Sequence, residues 1–130
     1  MSRLGTSIIL LSQGIPFLHA GQEFLRTKNG VENSYNAPDS INEINWRRKL
    51  ENIDTFNYVK GLISLRKAYS VFRMRTVEEI RNKLKFINTP MNSVGYKLLD
   101  NINGDIIVIH NANKNRIQAV SYTHLTLPTT

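Results

Sequence analysis

Asn33, Tyr35, Asn36 and Asp39 crowd into one short stretch, with Arg26 shortly before them and Trp46 shortly after. Asparagine amides match vicinal hydroxyls in donor and acceptor count, and a tyrosine ring can lie against a pyranose face, so the set suits carbohydrate. Arg26 either orients sugar hydroxyls or anchors the stretch through a carboxylate such as Asp39. Turn-forming asparagines account for the same letters, and on residues alone both readings stand. Trp46 reads as a packing anchor where the stretch rejoins its scaffold, in preference to a sugar platform. The histidines add little. His19 sits in an apolar run as a core residue would, and His110 and His124 fall in no metal-ligand spacing. Cysteine is absent, which removes disulfides, thiolate metal sites and cysteine nucleophiles.

These residues need elements to hold them. Residues 2–12 read as the last turns of a helix with Leu4, Ile8 and Leu11 on one face, closed by Gln13 and Gly14. Residues 15–19 then read as a buried parallel strand with Pro16 near its start, where a missing amide donor matters least. Residues 27–45 are rich in Asn, Asp, Ser, Gly and Pro and form a long loop of the kind that is often functional. Asn52 or Asp54 can cap a helix running to Tyr69, with Phe56, Val59, Leu62, Ile63 and Leu65 as its apolar stripe and Lys60, Arg66 and Lys67 toward water. Gly61 inside that helix points to a close packing neighbour.

Composition changes near residues 72–75. Thr76 followed by Glu79 has capping-box spacing for a short helix through Lys85. Two strand-like runs follow, residues 94–99 and 105–110, joined by Asn101, Ile102, Asn103 and Gly104 as a hairpin turn. Residues 121–130 carry no Asp, Glu, Lys or Arg and no strand pattern, and are expected to be a non-native tail similar to translated adapter sequence.

The formal charge of +7 comes from basic residues spread through the chain, with no recognised nucleic-acid motif, so they read as solvated helix faces and not as a phosphate-binding surface. No apolar run approaches the ~20 residues a membrane span needs. The N-terminus shows neither the basic start nor the cleavage site of a signal peptide, and the compartment stays open between cytoplasm and secretion.

The motifs point further. Gly14, Pro16, Gly21 and Glu23 match the glycine, proline, glycine and acid pattern of the eighth barrel strand in the alpha-amylase family of glycoside hydrolases. Leu25-Arg26-Thr27-Lys28, Asn33 through Asn42 and Trp46 are narrower and resemble type I pullulanases. Leu65-Arg66-Lys67-Ala68 is similar to the final barrel helix, and residues 107–113 to a strand of the C-terminal beta domain. Asn45 stands where aspartate is expected, and Tyr69-Ser70 where His-Pro is expected. The resemblance covers most of residues 10–119.

It implies an α/β plus β architecture: residues 1–72 as the last strand–helix unit of a (β/α)8 barrel, and residues 73–120 as the start of a C-terminal β-sandwich. It also implies a parent enzyme that hydrolyses α-1,6-glucosidic branch points in pullulan, amylopectin or limit dextrin by a retaining mechanism. That mechanism uses two carboxyl groups about 5 Å apart, and in this family these two and a third aspartate follow strands four, five and seven. The expectation is therefore a fragment with no catalytic residue of its own, reliant on the upstream barrel of the same polypeptide. Arg26, Asn33, Tyr35, Asn36 and Asp39 would contact a branched α-glucan. Gly14, Pro16, Gly21, Glu23 and Trp46 would be structural, Glu23 by fixing neighbouring loops in preference to facing the pocket. No dissociable cofactor and no metal is implied. The rivals are an isoamylase or glycogen-debranching fragment and, from another class, a small basic module binding polysaccharide or polyanions.

Overall fold

The computed structural model describes residues 2–118 of the 130; the expected tail at 121–130 lies outside the described residues. The chain divides into two compact units between Ser70 and Val71.

In the first unit, helix α1 (Ser2–Leu11) packs on helix α4 (Ile53–Ala68). The face that α1 buries is Thr6, Ser7, Leu10 and Leu11; of the expected Leu4, Ile8 and Leu11, Leu11 is buried, Leu4 is half-buried and Ile8 is exposed. Residues 8–11 read Ile-Ile-Leu-Leu and are apolar on every side, so the neighbour selects the face. The buried residues of α4 are Thr55, Val59, Leu62 and Arg66, half of them polar. Arg3 Nε donates to Thr55 Oγ1 at 3.0 Å. Arg66, expected in water, is only 7% exposed and spreads its guanidinium over the end of α1. Nη1 donates to the carbonyls of Leu10 (2.9 Å) and Ser12 (2.7 Å), and Nη2 to that of Gly14 (2.6 Å). Helix C-termini leave such carbonyls without intrahelical donors, and a cation there also meets the negative end of the helix dipole. Val59 and Leu62 of the expected α4 stripe are buried, whereas Ile63 and Leu65 are exposed. A Cβ at Gly61 would meet nothing within 4 Å, so the close neighbour expected there is not present among the described residues.

Residues 15–19 also depart from expectation. They have no regular secondary structure and pair with no strand among the described residues, and Ile15 and Phe17 are 98% and 81% exposed. A strand is completed only by a partner's amides and carbonyls, and no local hairpin supplies one here. Two short helices complete this unit, α2 (Asp39–Asn42) and α3 (Arg47–Glu51). Asn52 occupies the N-cap position of α4 without capping it, because its side chain instead donates to the Arg48 carbonyl.

In the second unit, helix α5 (Val77–Lys83) starts with the capping box foreseen in the sequence: Glu79 N donates to Thr76 Oγ1, and the Glu79 carboxylate accepts from Thr76 N. The backbone amides of Arg75 and Thr76, both donating to it, hold the Glu79 carboxyl below its ordinary range. The helix ends at Lys83 and not at Lys85, because Leu84–Ile87 is strand β1. With β2 (Ser93–Leu98) and β3 (Ile106–Asn111) it forms an antiparallel sheet in the order β1-β2-β3. The register sets Leu84 and Ile106 on either side of Leu98, and Phe86 and Val108 on either side of Tyr96. Tyr96, Leu98, Val108 and His110 are buried on that face. The β2–β3 turn is organised by Asp100, whose Oδ1 accepts from Ile102 N at 3.0 Å and whose Oδ2 accepts from Asn103 Nδ2 at 3.0 Å. The Asn103 side chain and the Ile102 amide hold this carboxyl below its usual range. Gly104, at φ 86°, closes the turn. Beside it Lys97 Nζ lies 2.6 Å from Asp105 Oδ2 and lowers that carboxyl in turn.

The described residues thus form a small α/β assembly with a three-stranded antiparallel sheet, and none of its strands belongs to a parallel sheet.

Candidate functional site

The carbohydrate-suited residues lie on the loop between Gly21 and Trp46, and its path begins at a glycine that nothing can replace without strain. Gly21 has φ 89°, and a Cβ there would stand 2.8 Å from the Arg26 Cβ. The chain doubles back on itself at this point, with Arg26 N donating to the Gly21 carbonyl at 2.8 Å. Leu25, at φ 61°, completes the reversal, and its carbonyl receives both Nε (3.1 Å) and Nη2 (2.9 Å) of Arg48. A non-glycine residue rarely adopts that conformation, and the Arg48 fork supplies a local reason for it here.

Arg26 does not reach Asp39. Its Nη2 donates to the Asn42 carbonyl and its Nη1 to the Ala20 carbonyl at 3.4 Å. The next link is the Asn42 side chain. Its Nδ2 donates to the carbonyls of Ser34 (2.7 Å) and Ala37 (2.8 Å), while its Oδ1 accepts from Lys28 Nζ. The same ammonium donates to Ser34 Oγ at 2.8 Å. Two turns nest inside this knot: Val31 N donates to the Lys28 carbonyl at 3.0 Å, and Ala37 N to the Ser34 carbonyl at 3.1 Å.

Around the knot the expected contact residues face outward. Asn33, Asn36 and Asp39 are exposed, and Tyr35 is 84% exposed. Asp39 opens α2 directly after Pro38. Trp46 sets its ring against the buried Phe24, centroids 5.7 Å apart at 42°, and leaves 67% of its surface to solvent. Glu23 is half-buried and lies in a separate cleft of about 520 Å³, with His19, Phe56, Val59, Ile63, Lys60 and Lys67 among its lining residues. Gly14 (φ 92°) lies three residues past α1 and gives its carbonyl to Arg66, and Pro16 lies in the unpaired segment 15–19. Among the described residues no group of three or more His, Asp and Glu could hold a metal ion. Asn42, Lys28, Ser34, Arg48 and Arg66 hold the architecture together without having stood out in the sequence as functional. Their partners are mostly backbone carbonyls, which leave no residue-type signal to read.

The knotted loop thus carries an exposed rim of amide and aromatic side chains, and the chain has clear relatives among known proteins. The family described as "Pullulanase, all-beta domain" matches residues 80–121. The chain is 45% identical over 120 residues to a pullulanase of Bacillus subtilis, aligning 89% of its own length with 17% of that protein. It is 38% identical over 72 residues to an isoamylase of a Flavobacterium species, 55% of this chain and 9% of that one. Among solved structures, a pullulanase of Paenibacillus barengoltzii in complex with maltohexaose and α-cyclodextrin superposes with a TM-score of 0.83 at 46% identity, over 86% of this chain and 18% of that chain. The chain therefore spans less than a fifth of the length of the pullulanases it matches.

These relatives define a class, the debranching glycoside hydrolases. Within it the chain is a homologue of type I pullulanases, as the motifs in its loop indicated.

Proposed function

We propose that this chain is the groove-shaping portion of an enzyme that hydrolyses α-1,6-glucosidic branch points in pullulan, amylopectin or limit dextrin. In this reading residues 1–72 are the last strand–helix unit of a (β/α)8 barrel and residues 73–120 begin a β-sandwich. Residues 15–19, unpaired among the described residues, would take their place in the barrel sheet beside strands from the rest of a longer polypeptide. Barrels of this kind place their active sites at the C-terminal face, where the loop after a strand reaches the substrate. Asn33, Tyr35, Asn36 and Asp39 would meet the glucan there, while Arg26 acts from behind by holding the loop. No carboxylate of this chain takes part in bond cleavage. A retaining glycosidase needs a nucleophile and an acid/base about 5 Å apart, and the rest of the enzyme supplies both.

The observation that carries this reading is the loop itself: polar side chains point outward from a backbone that is already tied down. A preformed rim loses little conformational entropy on meeting a ligand. The isoamylase alternative has the shorter and weaker sequence likeness. The test is an exchange in which residues 14–118 replace the matching stretch of the Bacillus subtilis pullulanase. We expect the hybrid to hydrolyse pullulan. Combining Asn33→Ala, Tyr35→Ala and Asn36→Ala should raise KM about tenfold, near 1.4 kcal/mol of binding, with kcat largely retained. An unchanged KM in this triple variant removes the rim from the substrate site.

A further inference from the structure

We propose that Asn42 is the positioning residue of the glucan-binding rim, an inference that rests on the reading just given. One carboxamide closes the loop from three directions. Its two N–H groups go to the Ser34 and Ala37 carbonyls, which bracket Tyr35 and Asn36 in sequence. Its oxygen holds the Lys28 ammonium, which also fixes Ser34 from the other side. Its own backbone carbonyl receives Arg26, and Arg26 is pinned in turn to the Gly21 reversal. A single residue therefore links the Gly21 turn, the Lys28 arm and the segment that carries the rim.

The geometry admits few substitutes. Aspartate keeps the acceptor for Lys28 and loses both donors. Alanine loses all three contacts, leaving the Ala37 carbonyl without its side-chain donor and the Ser34 carbonyl with the Ala37 amide alone. Neither change removes a group from the rim, because Asn42 itself is partly covered and lies behind it. Asn42 thus differs from Asn33, Tyr35 and Asn36: they would touch sugar, whereas Asn42 sets where they stand before sugar arrives. Preorganisation of this kind acts on binding, not on the chemical step.

Two measurements test it. Hydrogen exchange on the 130-residue chain should show the Val31 and Ala37 amides exchanging about tenfold faster in Asn42→Ala, with the α4 amides unchanged, since local opening is read amide by amide. In the pullulanase hybrid, Asn42→Ala and Asn42→Asp should each raise KM for pullulan about tenfold and leave kcat within about twofold, while Lys28→Met gives a smaller rise of the same kind. Unchanged exchange at Val31 and Ala37 overturns the inference, whatever the kinetics. A loosened loop with unchanged KM overturns it as well, and the rim triple variant then separates the two levels. If the triple variant raises KM, the glucan-groove reading survives and only the role of Asn42 falls. If it does not, both fall.

Discussion

The loop of residues 21–46 and the sheet of residues 84–111 satisfy their backbone polar groups by opposite means. In the sheet each strand finds its partner nearby in sequence, so amides and carbonyls pair in a ladder and the side chains are left to pack. In the loop no ladder exists. Asn42, Arg26 and Arg48 reach back to individual backbone carbonyls and do with side chains what a neighbouring strand would do, while Lys28 braces the Ser34 and Asn42 side chains. The sheet is secured by apolar contacts shared among many residues, the loop by a few polar side chains with no redundancy. Stability should be lost broadly when the sheet core is cut, and locally when one loop contact is cut. The same contrast fits a division of labour between a supporting domain and a binding rim.

The largest effect should come from the sheet. Leu98 is fully buried between Leu84 and Ile106, and Leu98→Ala should destabilise the second unit by about 3 kcal/mol through lost burial and the cavity left behind. Urea unfolding followed by the exchange rates of β2 and β3 amides measures this. A change below about 1 kcal/mol would mean that the sheet repacks freely and that the comparison is wrong on its apolar side. The polar side is tested next by Arg66→Ala, which withdraws donors from three carbonyls at the end of α1. The expected loss is about 2 kcal/mol, with exchange rising at the α1 amides first. Arg66→Lys should recover only part of it, because a point ammonium cannot span the three acceptors as the planar fork does.

How much of this the sequence disclosed depended on whether the partner lay close by. The Thr76–Glu79 capping box and the turn between β2 and β3 are local, and both were legible. Helix α4 was legible as a helix from its apolar spacing, but its buried Arg66 was not, because a guanidinium leaves water only when distant carbonyls are waiting for it. Strand β1 hid behind Lys83 and Lys85, which suit a helix end equally well, until β2 was available to pair with it. Residues 15–19 failed in the opposite direction: their letters fit a strand, and no neighbour among the described residues completes one. At the site, the outward amides and Tyr35 stood out by type. Asn42 did not, since an asparagine that clasps carbonyls looks in sequence like any other in a turn.

A smaller effect tests whether a polar device inside the second unit behaves like those of the loop. Thr76→Ala removes the side-chain acceptor for Glu79 N and should cost about 1 kcal/mol, confined to α5. Thr76→Ser should restore most of it. Exchange at the α5 amides reads the change directly, and a loss that spread into β2 and β3 would show helix and sheet to be one cooperative element, not two.

The smallest effect is one of pH, and it separates the two regions without any mutation. His110 is buried in β3 near the Tyr96 ring, centroids 6.2 Å apart, and burial lowers its pKa below the ordinary imidazole value of about 6.5. Above neutrality the ring is uncharged both folded and unfolded and adds no pH dependence. As pH falls through about 6.5 the unfolded chain takes the proton first, so the sheet loses stability progressively until the folded ring is protonated too. The lowered carboxyls of Asp100, Asp105 and Glu79 act in a separate, more acidic window, where stability falls as the folded groups are themselves protonated. Once exchange is corrected for its intrinsic pH dependence, the β3 amides should therefore lose protection between pH 7 and pH 5.5, while Val31 and Ala37 stay level. His110→Gln should flatten the sheet's response over that interval. A loop that loosened in step with the sheet would mean that the clasp and the ladder are not independent.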